Sequence, residues 1–195
     1  DDSWLVPISV EIRNDGAKQK RVKIVVTIVD QNGNDVISAE KTVSAVAGEI
    51  TEVKLNESLT NVKLWSPDEP NLYRAVTKLY VGGSEIDEYV TRFGFRYYVL
   101  DPDKGMFING RHYKIKGVCG HADCGLTGKA VPDNIHRHKV RLMKEMGANG
   151  YRTSHYMQAE ALMDALDENG FIVMDETRWF ESTDEGREQL RALVR

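Results

Sequence analysis

The sequence predicts two folds in succession: an antiparallel β-sandwich over residues 1–97, then parallel strand–helix repeats over residues 98–195. Three observations carry this. Apolar residues alternate with period two as far as about residue 97, the mark of strands with one buried face. Beyond residue 105 they recur at helical spacing between short apolar runs. Turn pairs such as Asn32-Gly33 and Gly82-Gly83 divide the first half into hairpins, whereas single glycines, Gly147 and Gly170, close candidate helices in the second.

Taken in order, "ISVEI" places Ile8, Val10 and Ile12 on one face. "RVKIVVTIVD" repeats the pattern with Val22, Ile24, Val26 and Ile28 and runs into the Asn32-Gly33 turn. "DVISAEKTV" and "EITEVKLN" follow as short strands separated at Gly48, and "LYRAVTKLYV" and "IDEYVTRF" flank Gly82-Gly83. Short strands at this spacing, without a helix, suit a sandwich of about 100 residues.

In the second half, "MFINGRHYKIKGV" predicts a hairpin through Asn109-Gly110 and then a strand over Lys114–Cys119. "PDNIHRHKVRLMKEMG" predicts a helix with Asp133 as N-cap and Ile135, Lys139, Leu142 and Met146 on one stripe. A short strand over Tyr151–Ser154 follows, then a helix with Ala159, Leu162, Met163 and Leu166 turned inward. "FIVMDE" (171–176) is a continuous apolar run of the kind buried on both faces of a parallel sheet. Ser182 and Glu185 form a capping-box pattern that opens a third helix, reaching the chain end.

Three such repeats could begin an open doubly wound sheet or a (β/α)8 barrel. No glycine-rich phosphate loop follows the first strand, which disfavours a nucleotide-binding sheet. A complete barrel needs about 250 residues, so any barrel here is expected to be unfinished. Asp1 is preceded by no leader and no initiator methionine, and the chain is expected to start inside a longer protein.

Composition excludes several function classes. Charged residues make up 29% and the net charge is −4, with no basic cluster dense enough for nucleic acid. The densest basic run, Lys18 to Lys23, suits the solvated side of a hairpin. No run of about 18 apolar residues is present, so no membrane-spanning helix is predicted. Cys119 and Cys124, even with His121 between them, fall short of the four ligands of a structural zinc site and suit two loop thiols better.

Chemistry in a barrel or open parallel sheet sits at the carboxyl ends of the strands. Those ends carry Cys119 to Asp123 with His121, then Arg152 to His155, then Asp175-Glu176. All three polar clusters therefore fall on one rim. Each has a plainer alternative: a strand-end histidine can serve local hydrogen bonding, and Arg152 could pair with Asp175 or Glu176 across neighbouring strands.

Six segments now fall into place together: "LWSPDEPNLY" (64–73), "FGFR" (93–96), "FINGRHYKIKGVCGHAD" (107–123), "MKEMGAN" (143–149), "RTSHY" (152–156) and "GFIVMDET" (170–177). In this order they resemble glycoside hydrolase family 2, the family of β-galactosidases and β-glucuronidases. The resemblance implies an immunoglobulin-like sandwich followed by the first three β/α units of a truncated TIM barrel. It implies that His121 lines the sugar subsite with Asp123 nearby, that Arg152 orders the catalytic carboxylates, and that His155 contacts the sugar. Glu176 stands where some β-galactosidases place a magnesium ligand, so magnesium is possible in the parent.

Departures qualify the carry-over. Cys119-Gly120 replaces the family's Asn-Arg, Met157 replaces a proline, and Arg178 stands where magnesium-binding members have histidine. The first-loop cysteine and "DETR" resemble the bacterial β-galactosidase branch. The parent is thus expected to be a retaining hydrolase of terminal, non-reducing β-D-galactosides in carbohydrate catabolism. The alternatives are a β-glucuronidase or β-mannosidase, or a stand-alone carbohydrate-binding or adhesion sandwich. In the family an Asn-Glu pair ends the fourth strand and supplies the acid/base. The one such pair here, Asn56-Glu57, lies in the sandwich, so the chain is expected to hold neither catalytic glutamate and to be inactive alone. The expected partner is a β-galactoside, with no nucleic acid and no membrane, and with self-association through the open barrel edge. The compartment, cytoplasmic or periplasmic, stays open.

Overall fold

The computed structural model describes residues 3–176 and 182–193. They form two compact units. The first runs through Leu64 and takes in Asn71–Phe95; the second comprises Trp65–Pro70 and the chain from Arg96 onward.

The first unit is a two-layer sandwich. Its strands are β1 (Ser3–Arg13), β2 (Lys20–Val29), β3 (Asp35–Ala45), β4 (Ile50–Thr60), β5 (Tyr73–Val81) and β6 (Ser84–Phe93). One sheet pairs β1 with β4, and the other has the order β3-β2-β5-β6, all antiparallel. Period-two patterning does what the sequence predicts. Ile12, Val22, Ile24, Val26, Ala45 and Val53 are buried in one cluster, with Ile8, Val10 and Leu55 packed against it. A second cluster gathers Ile28, Leu59, Tyr73 and Phe95. Phe95 lies edge-on to Tyr73 at 5.1 Å, Phe93 at 5.3 Å and Trp4 at 5.5 Å, the favoured aromatic geometry. The Asn32-Gly33 turn is held by Asp30, whose carboxylate accepts the backbone N–H of Asn32 and of Asn34.

The second unit opens with a small antiparallel sheet of β7 (Tyr98–Asp101), β8 (Gly105–Ile108) and β9 (Arg111–Tyr113). Its predicted hairpin is present: Asn109 and Gly110 both take positive φ, 51° and 79°, as a tight primed turn requires. Asn109 also donates from Nδ2 to the carbonyl of Trp65 at 3.0 Å. Trp65, 3% exposed, donates from its indole nitrogen to the carbonyl of Asp167 at 3.0 Å and carries the Arg96 guanidinium over its ring.

Next come β10 (Gly117–Gly120), α1 (Asp133–Glu145), β11 (Gly150–Thr153), α2 (Glu160–Glu168), β12 (Ile172–Met174) and α3 (Asp184–Leu193). The three strands form a parallel sheet in the order β10-β11-β12, with Cys119 beside Arg152 and Arg152 beside Met174. Among the described residues this sheet does not close into a barrel. Val140, Ala148, Tyr151, Leu162, Ala165, Leu166 and Phe171 make the core on its helix-covered side. No described helix is long and apolar enough to cross a membrane.

Local details depart from expectation for definable reasons. β10 begins at Gly117, later than Lys114, because the Asn149 side chain takes the backbone groups before it: Oδ1 accepts from Lys116 N–H at 2.7 Å and Nδ2 donates to Lys114 at 3.0 Å. Helix α1 is capped by Pro132 without a side-chain bond, and Asp133 is its first residue, where a negative charge suits the helix dipole. Its buried face carries His136 and Val140, whereas Ile135, Leu142 and Met146 are exposed at 37%, 45% and 74%. Burial, and then the Lys139 charge, push the His136 imidazole down from its ordinary pKa. Helix α3 is capped one residue later than predicted: Thr183, not Ser182, accepts the Gly186 N–H on its hydroxyl at 3.1 Å. The "FIVMDE" run is ladder-paired only over Ile172–Met174, and Met174 is exposed.

Candidate functional site

The site forms where three parallel strands end. Backbone alternation sends Tyr151 and Thr153 to one face of β11 and Arg152 to the other. Tyr151 and Thr153 are both 0% exposed, while the Arg152 side chain remains 41% exposed. Past β11 the chain turns through a cis Ser154–His155 peptide, and Ser154 N–H donates to Gly120 O at 3.1 Å, tying the two strand ends together.

Glu176 is the centre of the polar network. Its Oε1 accepts from Arg152 Nη2 at 3.0 Å and lies 2.9 Å from His155 Nδ1. Its Oε2 lies 2.9 Å from the same guanidinium nitrogen, an ion pair outside hydrogen-bond alignment. The Glu176 side chain is 12% exposed, against 41% for Arg152 and 52% for His155. A ligand arriving from solvent therefore meets the arginine and the imidazole before the carboxylate. The hydrogen bond from His155 holds the Glu176 carboxyl below the ordinary glutamate range, with partial burial opposing and the Arg152 charge assisting. With Nδ1–H given to Glu176, His155 Nε2 has no protein partner among the described residues and can accept a hydroxyl proton.

His121 joins this group by ring contact, its centroid 5.5 Å from that of His155 and 6.2 Å from that of Tyr156. The start of the loop is held twice. Lys139 Nζ donates to the His121 carbonyl at 3.3 Å, and Ala122 N–H points to the Tyr156 hydroxyl at 3.4 Å. Lys129 lies over the Tyr156 ring at 4.7 Å.

Of the five candidates from the sequence, four come together: His121, Arg152, His155 and Glu176. Asp123 is exposed in the same loop, and no hydrogen bond or ion pair among the described residues joins it to the network. The cross-strand pairing considered for Arg152 is real and selects Glu176 over Asp175. Three contributors were not singled out. Thr153 and Tyr156 lie inside the "RTSHY" segment, where their adjacency to Arg152 and His155 is a usable signal. Lys139 sits a helix away and carries no such signal.

Magnesium does not fit Glu176. Its carboxylate already faces a guanidinium on both oxygens, and a cation there would meet the Arg152 charge at close range. Among the described residues, no three His, Cys, Asp or Glu side chains cluster to hold a metal. Arg178, contrasted above with a family histidine, lies outside the described residues.

Comparison with known proteins agrees across the chain. The family profile described as "Glycosyl hydrolases family 2" matches residues 1–96, and that described as "Glycosyl hydrolases family 2, TIM barrel domain" matches residues 100–184. β-Galactosidase BoGH2A of Bacteroides ovatus is 37% identical over 171 residues, covering 87% of this chain and 20% of its own length. A β-glucuronidase of Bacteroides fragilis is 39% identical over 115 residues, covering 58% of this chain and 16% of its own. The crystal structure of a Bacteroides uniformis β-glucuronidase superposes with a TM-score of 0.89 at 30% identity, over 96% of this chain and 23% of that one. The chain thus spans about a fifth of the length of such relatives.

Proposed function

This chain belongs to glycosyl hydrolase family 2, and on that premise we propose that it builds one wall of the sugar pocket in a retaining β-galactosidase. On this reading residues 1–97 are the immunoglobulin-like sandwich, and residues 98–195 are the first three β/α units of the (β/α)8 catalytic barrel. His121, Arg152 and His155 offer hydrogen bonds to sugar hydroxyls, Glu176 fixes the last two in place, and Asp123 approaches the ligand from the exposed loop.

The observation that carries the proposal is the covered Glu176 carboxylate with two solvent-reaching partners. A retaining glycosidase needs two carboxyl groups about 5–5.5 Å apart, one of them an acid whose pKa is raised. Glu176 is shifted the other way, toward the ionised form. It therefore suits orientation and not proton donation, and the acid/base and nucleophile are assigned to other residues of the enzyme.

Curated relatives carry both the galactosidase and the glucuronidase names. The state of Arg152 favours a neutral sugar. Its charge is already matched by Glu176, so Arg152 is not a spare cation for a uronate carboxylate. A stand-alone adhesive sandwich accounts for the first unit only and leaves the polar strand ends without a purpose.

Titration of the chain with methyl β-galactoside and methyl β-glucuronide, followed by NMR at residues 121, 152–156 and 176, tests the proposal. Shifts with the galactoside alone are expected. Shifts with the glucuronide alone transfer the assignment to a glucuronidase, and silence with both rejects the pocket. Hydrolysis of nitrophenyl β-galactoside by the pure chain would overturn the placement of the catalytic pair.

A further inference from the structure

The backbone ladder between β11 and β12 ends at Arg152 beside Met174, two residues before Glu176. Glu176 therefore projects from a segment that no strand pairing holds. The next residue on β11 supplies the missing link with its side chain. Thr153 Oγ1 donates to Asp175 Oδ1 at 2.7 Å and accepts the Glu176 backbone N–H at 2.9 Å. The same Asp175 oxygen accepts that N–H at 3.0 Å, closing a small ring of three groups.

From this we infer that Thr153 is a positioning residue, whose hydroxyl orients Glu176 toward Arg152 and His155. The geometry uses both capacities of a hydroxyl at once: its single proton goes to the carboxylate and a lone pair takes the amide. Thr153 is 0% exposed, so no water competes for either bond. Valine matches its shape but can neither donate nor accept. Serine keeps both bonds and loses only a methyl group. A buried threonine that merely satisfied itself would need one partner anywhere. This one holds two consecutive residues at the point where the sheet lets go of them. Its significance for sugar binding rests on the pocket proposed above; the positioning itself does not.

Amide hydrogen exchange and carboxyl carbon NMR on the chain test the role in wild type, Thr153→Val and Thr153→Ser. In Thr153→Val the Glu176 amide is expected to exchange about tenfold faster while the Tyr151 and Ile172 amides stay unchanged. The Glu176 carboxyl titration should also move up toward the ordinary glutamate range. Thr153→Ser should restore both. Unchanged exchange and titration in Thr153→Val overturn the inference, as does a uniform acceleration across β10, β11 and β12 that serine fails to rescue. If the valine variant does not fold, Asp175→Ala at an exposed position removes the shared acceptor. Thr153 Oγ1 is then the remaining acceptor, so an acceleration of the Glu176 amide of no more than about threefold is expected, and one of about tenfold would show that Asp175 holds the amide and overturn the role. Failure of the sugar pocket is read separately. A wild type indifferent to both glycosides rejects the pocket, whereas a Glu176 amide that still responds to Thr153 keeps the positioning role.

Discussion

Gly120 and Tyr151 occupy complementary space: a Cβ built on Gly120 would lie 2.0 Å from the Tyr151 hydroxyl and 2.6 Å from its Cζ. The tyrosine ring is 0% exposed and fills the bare strand end from which the His121 loop departs. The contact gives the glycine at the end of β10 a physical reason. The ring cannot tilt away without breaking its packing among Val140, Leu162 and Phe171.

Gly120→Ala should therefore lower the unfolding free energy by about 2–3 kcal/mol through overpacking. Urea denaturation at neutral pH measures it, and an unchanged midpoint would show that the ring yields freely.

Tyr151→Phe should act in the opposite direction. The hydroxyl is buried without a hydrogen-bond partner, so its removal should be neutral or stabilise by up to about 1 kcal/mol. Burial first, then Cys119 and Tyr156, push the phenol pKa up. A raised folded-state pKa contributes stability that is whole below the unfolded value, about 10, and is lost as pH climbs through the folded one. Wild type should weaken in that alkaline window, and the phenylalanine variant should weaken less in thermal melts taken across it.

Glu176 has the reverse sign. Its depressed pKa contributes stability above the ordinary carboxylate range, lost as pH falls through the folded value. Glu176→Gln should be less stable than wild type near neutrality, with the gap closing as the buffer is acidified. A gap constant down to acid unfolding would mean that the His155 and Arg152 contacts contribute nothing to the charged form.

Helix α1 offers a direct comparison of two faces. Val140→Ala, at a 0% exposed position, should cost about 2 kcal/mol, whereas Leu142→Ala, 45% exposed, should stay within about 0.5 kcal/mol. Equal costs in chemical denaturation would place the buried face where the sequence stripe put it.

That stripe shows where sequence reasoning stops. Ile135, Leu142 and Met146 share a helical face and are more apolar than His136, so periodicity chose them. The folded unit buries His136 and Val140 instead, since the orientation of a helix is set by what it packs against. The same division holds at the site. Three polar strand ends on one rim could be predicted, because a parallel sheet aligns its carboxyl ends. The partition of their bonds could not. Arg152 chose Glu176 over Asp175, Thr153 took Asp175 and the Glu176 amide, and Asp123 was left outside, all through register between strands some twenty residues apart in the chain.

By itself, then, the sequence determined the strands and hairpins of the first unit, the helix-closing glycines and the order of elements in the second. These follow from backbone preferences and side-chain alternation within a few residues of one another. Tertiary structure alone decided which helix face is covered, where Thr183 replaces Ser182 as a cap, and how Thr153 completes an interrupted ladder. Each of those depends on atoms brought together by packing, and hydrogen bonds of about 3 Å leave no latitude that sequence spacing could resolve.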